Sequence, residues 1–234
     1  MANQTQRPDT ALHNTSHLMQ YHDLIESIVA AMDARDAYTA KHSDRVADMV
    51  LVLATALDLS EDETTLLHMA AHLHDIGKIA VPDSVLRKAG PLTNPEWEEM
   101  RRHPVTGYEI LRKVDDFKEI AVLVRHHHER WDGRGYPDGL AGDDIPISAQ
   151  IVSMADVYDA LVSKRVYKAA YSPDTAVQMI LHGDCGQFNP LLLECLVDIQ
   201  DVLKAEIVGR GNESVLAAAE TSAEGSRPLP TMPR

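Results

Sequence analysis

Apolar residues recur along most of this chain at intervals of three and four, the spacing that lays one stripe along an α-helix. From His17 to about Arg35 the stripe is Leu18, Tyr21, Leu24, Ile25, Ile28 and Val29, and Val46, Met49, Val50, Leu53 and Leu57 repeat it in the next segment. Ser60-Glu61-Asp62-Glu63 has the form of a capping box and predicts a third helix through Leu66, Leu67 and Ala70. Thr93-Asn94-Pro95-Glu96 predicts another start, with proline in the first turn, where a missing N–H costs nothing. Further helices are predicted near 104–113, 116–128, 148–163, 173–183 and 190–204. The Gly/Pro/Asp-rich stretch from Asp132 to Pro146 is the one long loop between them, and long loops inside domains are often functional. The expected fold class is all-α: one helical domain over residues 17–205. It is flanked by a polar, unpatterned segment 1–16 and a tail 206–234 that drifts into Ala, Ser, Glu and Pro, both expected to be poorly ordered.

Composition narrows the function. The chain has 234 residues, enough for one domain with a real core, and 5% aromatic residues, which favours helices over a β sandwich. The longest apolar runs, such as Met49 to Leu57, are too short to span a bilayer, and the N-terminus lacks the pattern of a signal peptide. A cytoplasmic address without membrane contact is the resulting expectation. With 22 Lys plus Arg against 36 Asp plus Glu, the formal charge of −14 argues against binding a nucleic-acid polymer, which needs a cationic surface. A small anionic substrate remains compatible if the site supplies its own positive charge. Cys185 and Cys195 show no spacing suggestive of zinc or a disulfide framework and are expected as reduced, buried thiols.

The 12 histidines are the compositional oddity. His74-Asp75 falls at the predicted end of the third helix, where neighbouring side chains can converge on one ion, and Gly77 and Lys78 follow. Imidazole with carboxylate suits first-row metals. A His-Asp pair by itself is common, and the other histidines give it weight: His42 in an upstream helix, His103 ending a predicted helix after Met100, and the run His126-His127-His128 before Glu129. Asp156 lies in a mostly apolar helix, where a buried carboxylate is costly unless it is paired or holds a metal, and Asp159 is one turn further on.

In this order, the residues HDIGKIAVPDSVLRKAGPLT (74–93), His103 with Gly107, HHERWDGRGYPDGL (127–140), Ile145-Pro146 and ADVYDALVSKRVYK (155–168) resemble the HD-GYP family. That family is the subgroup of HD-domain phosphohydrolases associated with cyclic di-GMP breakdown, and the resemblance runs from about Asp36 to about Leu196. It implies an HD-type helical bundle with an ordered GYP loop. The metal ligands would correspond to His42, His74, Asp75, His103, His127, His128 and Asp156, with Asp75 bridging two divalent ions, Fe or Mn. Some members hold a third ion through a glutamate one turn before the first histidine; Tyr38 stands there, which implies two ions. Phosphate- and guanine-contacting groups would correspond to Lys78, Gly135, Tyr136, Arg165 and Lys168, with Asp36 and Asp159 in supporting roles. Asp75 and Lys78 would be catalytic. Tyr136 reads equally well as a base-stacking ring or a packing aromatic in a turn, and His126 has no counterpart as a ligand. Two departures are mild: Arg165-Val166-Tyr167-Lys168 replaces Arg-Pro-Tyr-Lys, and Phe188-Asn189-Pro190 replaces Phe-Asp-Pro, where Asn still caps a helix.

Two close metal ions suit phosphodiester hydrolysis, because water shared between them loses a proton near neutral pH and the ions offset charge in the in-line transition state. The resemblance therefore implies a phosphodiesterase opening cyclic di-GMP to linear pGpG, with GMP as a candidate further product. The alternatives are an HD-type hydrolase of another cyclic dinucleotide or nucleotide, and a non-catalytic protein that senses a nucleotide or binds a partner. Regulation through a separate protein, or through homodimers formed by the amphipathic segment 17–35, is the expectation for partners.

Overall fold

The apolar stripes become the faces of helices packed around one core. A computed structural model describes residues 21–35, 41–164 and 169–204, and all regular structure among them is helical. The principal helices are α1 (His22–Arg35), α2 (His42–Ala56), α3 (Glu61–Leu73), α4 (Asp83–Leu86), α5 (Asn94–Met100), α6 (His103–Leu111), α7 (Lys118–His126), α8 (Ile147–Val162), α9 (Pro173–His182) and α10 (190–204). Short 3₁₀ turns at Ile76–Ala80, Asp115–Phe117 and Gly142–Asp144 connect them. No helix among the described residues is long and apolar enough to cross a membrane. The segments 1–16 and 206–234 and residue Leu18 of the first stripe lie outside the described residues.

The stripe of α2 is buried as its spacing requires: Val46, Met49, Val50 and Leu53 all face inward. It packs on α3 and α8, whose Leu67, Met69, Leu73, Ile151 and Met154 are also fully buried. Burying one such side chain contributes roughly 1.5–3 kcal/mol, so these interlocked stripes dominate the stability of the bundle. Local chemistry sets the helix ends. Ser60 Oγ accepts from Glu63 N while Glu63 Oε2 accepts from Ser60 N at 2.9 Å, closing the expected capping box of α3. Glu96 Oε2 reaches back to Thr93 N at 2.7 Å at the start of α5. Asn189 Oδ1 accepts from Leu191 N at 2.9 Å before α10, the capping role expected of it. In α1, Ile25 and Val29 are buried whereas Leu24 is exposed and Ile28 borders on it.

One close approach positions the centre of the molecule. A Cβ on Gly77 would lie 1.9 Å from the His103 carbonyl oxygen and 2.6 Å from Gly107 N. The 3₁₀ turn after α3 therefore touches the backbone of α6, which only glycine permits. This contact brings Asp75 against His103, 28 residues apart in sequence.

Candidate metal centre and substrate rim

Three histidines are held in the same way. His74 at the end of α3, His103 at the start of α6 and His127 after α7 each turn Nδ1 to the carbonyl three residues back, Ala71, Met100 and Val124, at 2.6, 2.8 and 2.7 Å. A carbonyl can only accept, so each Nδ1 carries the proton and each Nε2 presents a lone pair. These lone pairs are turned on one another and on a carboxylate. His103 and His127 bring their Nε2 atoms to 3.4 Å, His74 Nε2 is buried with no donor to satisfy it, and Asp75 Oδ2 lies 3.3 Å from it. Burial pushes His103 down to about 3 and lowers His127 well below the ordinary imidazole range, which keeps both rings neutral. Facing acceptors in a buried space repel, and a cation among them removes that repulsion. The donor set thus fits a first-row metal.

Asp75 stands between two groups of ligands. Its Oδ2 is 3.3 Å from His74 Nε2 and 3.9 Å from His42 Nε2, while its Oδ1 is 3.4 Å from His103 Nε2. One ligand atom from each of His42, His74 and Asp75 falls within 4.8 Å of the others, and the same holds for His103, His127 and His128. Burial opposes ionisation of Asp75, but Lys78 and the surrounding histidines hold it well below the usual carboxylate range. The Lys78 ammonium sits 2.5 Å from Asp75 Oδ2, so the cation expected at the phosphoryl group is seated on that carboxylate.

His42, the first residue of α2, is gripped from both nitrogens. Nδ1 meets Asp159 Oδ2 at 2.7 Å and Nε2 meets Asp156 Oδ1 at 3.2 Å. Burial disfavours its charge, yet the bonds to Asp156 and Asp159 outweigh that and raise His42 to about 9. A proton on Nε2 and a metal ion therefore compete for one position. The supporting role expected of Asp159 takes a specific form, since this buried carboxylate also accepts from Arg45 at 2.6 and 3.0 Å and from Ser163 at 3.0 Å. With its oxygens occupied inside the protein, Asp159 orients His42 rather than reaching out to a substrate. Arg45, one turn after His42, was not singled out in the sequence; a charge at that spacing is common on helix surfaces, and only the fold pairs it with Asp159.

The glycine-rich loop lies beside this cluster. Glu129, whose side chain is fully buried, accepts from the amides of Asp138 and Gly139 at Oε1 (2.7 and 3.1 Å) and of Leu140 at Oε2 (3.1 Å). It holds the far side of the loop, a role unmarked in sequence beyond its place after the two histidines. Gly135 is needed for space: a Cβ there would lie 2.4 Å from Arg130 N and 2.6 Å from the His128 carbonyl oxygen. Tyr136 N donates to that carbonyl at 3.1 Å, and the Tyr136–Pro137 peptide is cis. The Tyr136 ring packs on His128, centroids 4.8 Å apart, with the Arg101 guanidinium 5.4 Å over it. The packing role is thus realised, and half-exposure leaves part of the ring open. Burial lowers His128 to about 4. His126 is no part of the cluster and sits 3.6 Å from Asp138. Cys195 is buried and Cys185 half-buried. Asp36, Tyr38, Arg165 and Lys168 lie outside the described residues.

Known proteins share this arrangement of elements. Residues 23–188 match the HD domain family. The cyclic di-GMP phosphodiesterase response regulator of Xanthomonas campestris is 42% identical over 177 residues, which covers 75% of this chain and 47% of that protein. The 3′3′-cGAMP-specific phosphodiesterase 2 of Vibrio cholerae is 41% identical over 184 residues, covering 76% of this chain and 35% of that protein. The chain thus spans less than half the length of these curated relatives. The crystal structure of a cyclic GMP-AMP specific phosphodiesterase of V. cholerae superposes with a TM-score of 0.60 at 20% identity, covering 76% of this chain and 48% of that one. The HD domain of the Listeria monocytogenes phosphodiesterase PgpH gives 0.54 at 17% identity over 78% of this chain and 97% of its own. At such identities the likeness is one of fold, and it agrees with the all-α HD-type bundle expected from the sequence. With the match spanning residues 23–188, this chain belongs to the HD-domain family.

Proposed function

We propose that this chain is a metal-dependent phosphodiesterase that opens cyclic di-GMP to linear pGpG, with GMP as a candidate further product. The observation that carries the reading is the convergence of buried Nε2 lone pairs on both oxygens of Asp75. Support for the substrate class comes from relatives named as cyclic di-GMP and 3′3′-cGAMP phosphodiesterases. His42, His74, Asp75, His103, His127, His128 and Asp156 would hold two ions, Fe or Mn, with Asp75 shared between them. When bound, the ions would supply Lewis-acid charge at the phosphoryl oxygens and acidify water at neutral pH.

The chain's own residues do the rest. Carbonyls three residues back keep His74, His103 and His127 in the coordinating tautomer without rearrangement. Asp159, braced by Arg45, keeps His42 Nδ1 protonated and Nε2 facing inward. Lys78 holds a positive charge beside Asp75 where a non-bridging phosphate oxygen would arrive. The exposed part of Tyr136 would stack on a purine, and Gly135, Arg165 and Lys168 would contact phosphate, with Asp36 in support. These local cations let an acidic chain take an anionic substrate.

A second reading, preference for 3′3′-cGAMP, is favoured by the near-equal identity to relatives named for each nucleotide. The two are separated by incubating Mn- or Fe-loaded protein with each dinucleotide and resolving products by chromatography. Linear pGpG from cyclic di-GMP, abolished by Asp75→Ala, is the expected result. Turnover that survives Asp75→Ala would refute the metal mechanism, and cleavage of 3′3′-cGAMP alone would establish the second reading.

A further inference from the structure

A second histidine cluster lies between α1 and α3. His68 and His72 are four residues apart on one face of that helix, and His22 opens α1 above them. One nitrogen from each ring falls within 4.8 Å of the others. His68 Nε2 and His72 Nε2 are 3.2 Å apart. Two imidazole nitrogens sharing one ion at roughly 2.0–2.1 Å stand about 3.0–3.4 Å apart, so the pair already has ligand spacing.

No placement of protons on two neutral rings satisfies this pair. Each ring has one N–H and one lone pair, so across the 3.2 Å contact one Nε2 must donate and the other accept. The donating ring is then left with a bare lone pair at Nδ1, and the accepting ring with a bare N–H there. Both Nδ1 atoms are buried short of a full hydrogen bond: the Ala47 carbonyl faces His68 and favours an N–H there, and the nearest carboxylate to His72 Nδ1 is Asp44, at 3.7 Å, so one of the two acceptors always meets a lone pair. A cation on the two Nε2 atoms puts a proton on both Nδ1 atoms and turns His72 Nδ1–H toward Asp44. His22 completes the set: its Nδ1 lies 3.6 Å from Glu26 and 3.9 Å from Asp23, which leaves Nε2 as the coordinating atom.

We propose that His22, His68 and His72 form a transition-metal site separate from the catalytic cluster, taking a first-row divalent ion of the Co²⁺, Ni²⁺, Cu²⁺ or Zn²⁺ class. Nitrogen-only ligation selects these ions over Mg²⁺ and Ca²⁺, which prefer oxygen. The bound ion ties α1 to the helix that ends in His74-Asp75. Arg35, at the other end of α1, donates to the carbonyls of Lys78 and Ile79, so the ion and Arg35 pin α1 at both ends against the catalytic turn.

The inference does not depend on the substrate. Metal-free full chain, His22→Gln and His68→Gln are titrated with Co²⁺ by equilibrium dialysis, with far-UV circular dichroism as the fold check and the Co²⁺-induced shift in Tm as second readout. Each variant is expected to bind one fewer Co²⁺ per chain than the parent, to show a smaller Tm rise, and to keep the parent's turnover of cyclic dinucleotide. Should His68→Gln fail to fold, His22→Gln decides, because its ring is partly exposed at a helix start. Unchanged stoichiometry and an unchanged Tm rise in His22→Gln would overturn the proposal.

Discussion

Glu129→Gln isolates the loop anchor with almost no change in shape. The carboxylate serves three backbone amides, two at Oε1 and one at Oε2. Glutamine can keep one oxygen in place, so at best two amides retain an acceptor, now uncharged, and the third faces an NH₂ donor. A hydrogen bond to a charged acceptor contributes about 1.5–3 kcal/mol, and leaving a donor unsatisfied costs about 1–3 kcal/mol if water cannot reach it. The amide left facing the NH₂ is that of Leu140, which is half-buried and can still recruit water, so the lower half of that range applies, a loss of about 1–2 kcal/mol. Stabilities of about 5–15 kcal/mol leave the variant folded. Urea denaturation should therefore show a lower midpoint at unchanged slope. Because the loop packs on His128 through Tyr136, kcat/KM for cyclic di-GMP should fall at least about tenfold. A midpoint shift equivalent to less than about 0.5 kcal/mol, together with unchanged kcat/KM, would refute the idea that Glu129 holds the loop.

Gly135→Ala should cost about 1–3 kcal/mol by urea denaturation, since its Cβ meets backbone at 2.4–2.6 Å that cannot rotate away. Asp159→Asn should weaken Mn²⁺ binding by about 10–100-fold, measured by titration calorimetry on protein of unchanged circular dichroism, through the loss of His42 orientation. Glu96 offers a pH test. Its bonds to Lys88 and Thr93 lower it to about 2, so the stabilisation is present above its ordinary pKa near 4.5 and is lost as pH falls toward 2. The stability gap between wild type and Glu96→Gln should accordingly be full at pH 6 and vanish near pH 2; a gap constant across that range would exclude the linkage.

Much of the helical frame was legible because its causes are local. A stripe such as Val46, Met49, Val50 and Leu53 needs only the helical period, and the Ser60 and Thr93 caps need only three residues of context. The resemblance named the ligand set, yet treated adjacent residues alike. His127 is sealed in the cluster with Nδ1 on a carbonyl, whereas His128 is half-buried against Tyr136. That distinction depends on where α7 stops, and periodicity places helix ends only to within a few residues.

What the sequence determined alone was the inventory: helices, caps, a glycine-rich loop and an ordered series of histidines and carboxylates. Which lone pair faces which atom was decided by the tertiary structure. Asp159 finds Arg45 and His42 across more than 110 positions, and Gly77 brings Asp75 to His103 through a backbone contact no pattern announces. The physical reason is that periodicity and capping act within a few residues, whereas tautomers and ligand geometry follow from burial and contacts between segments distant in the chain.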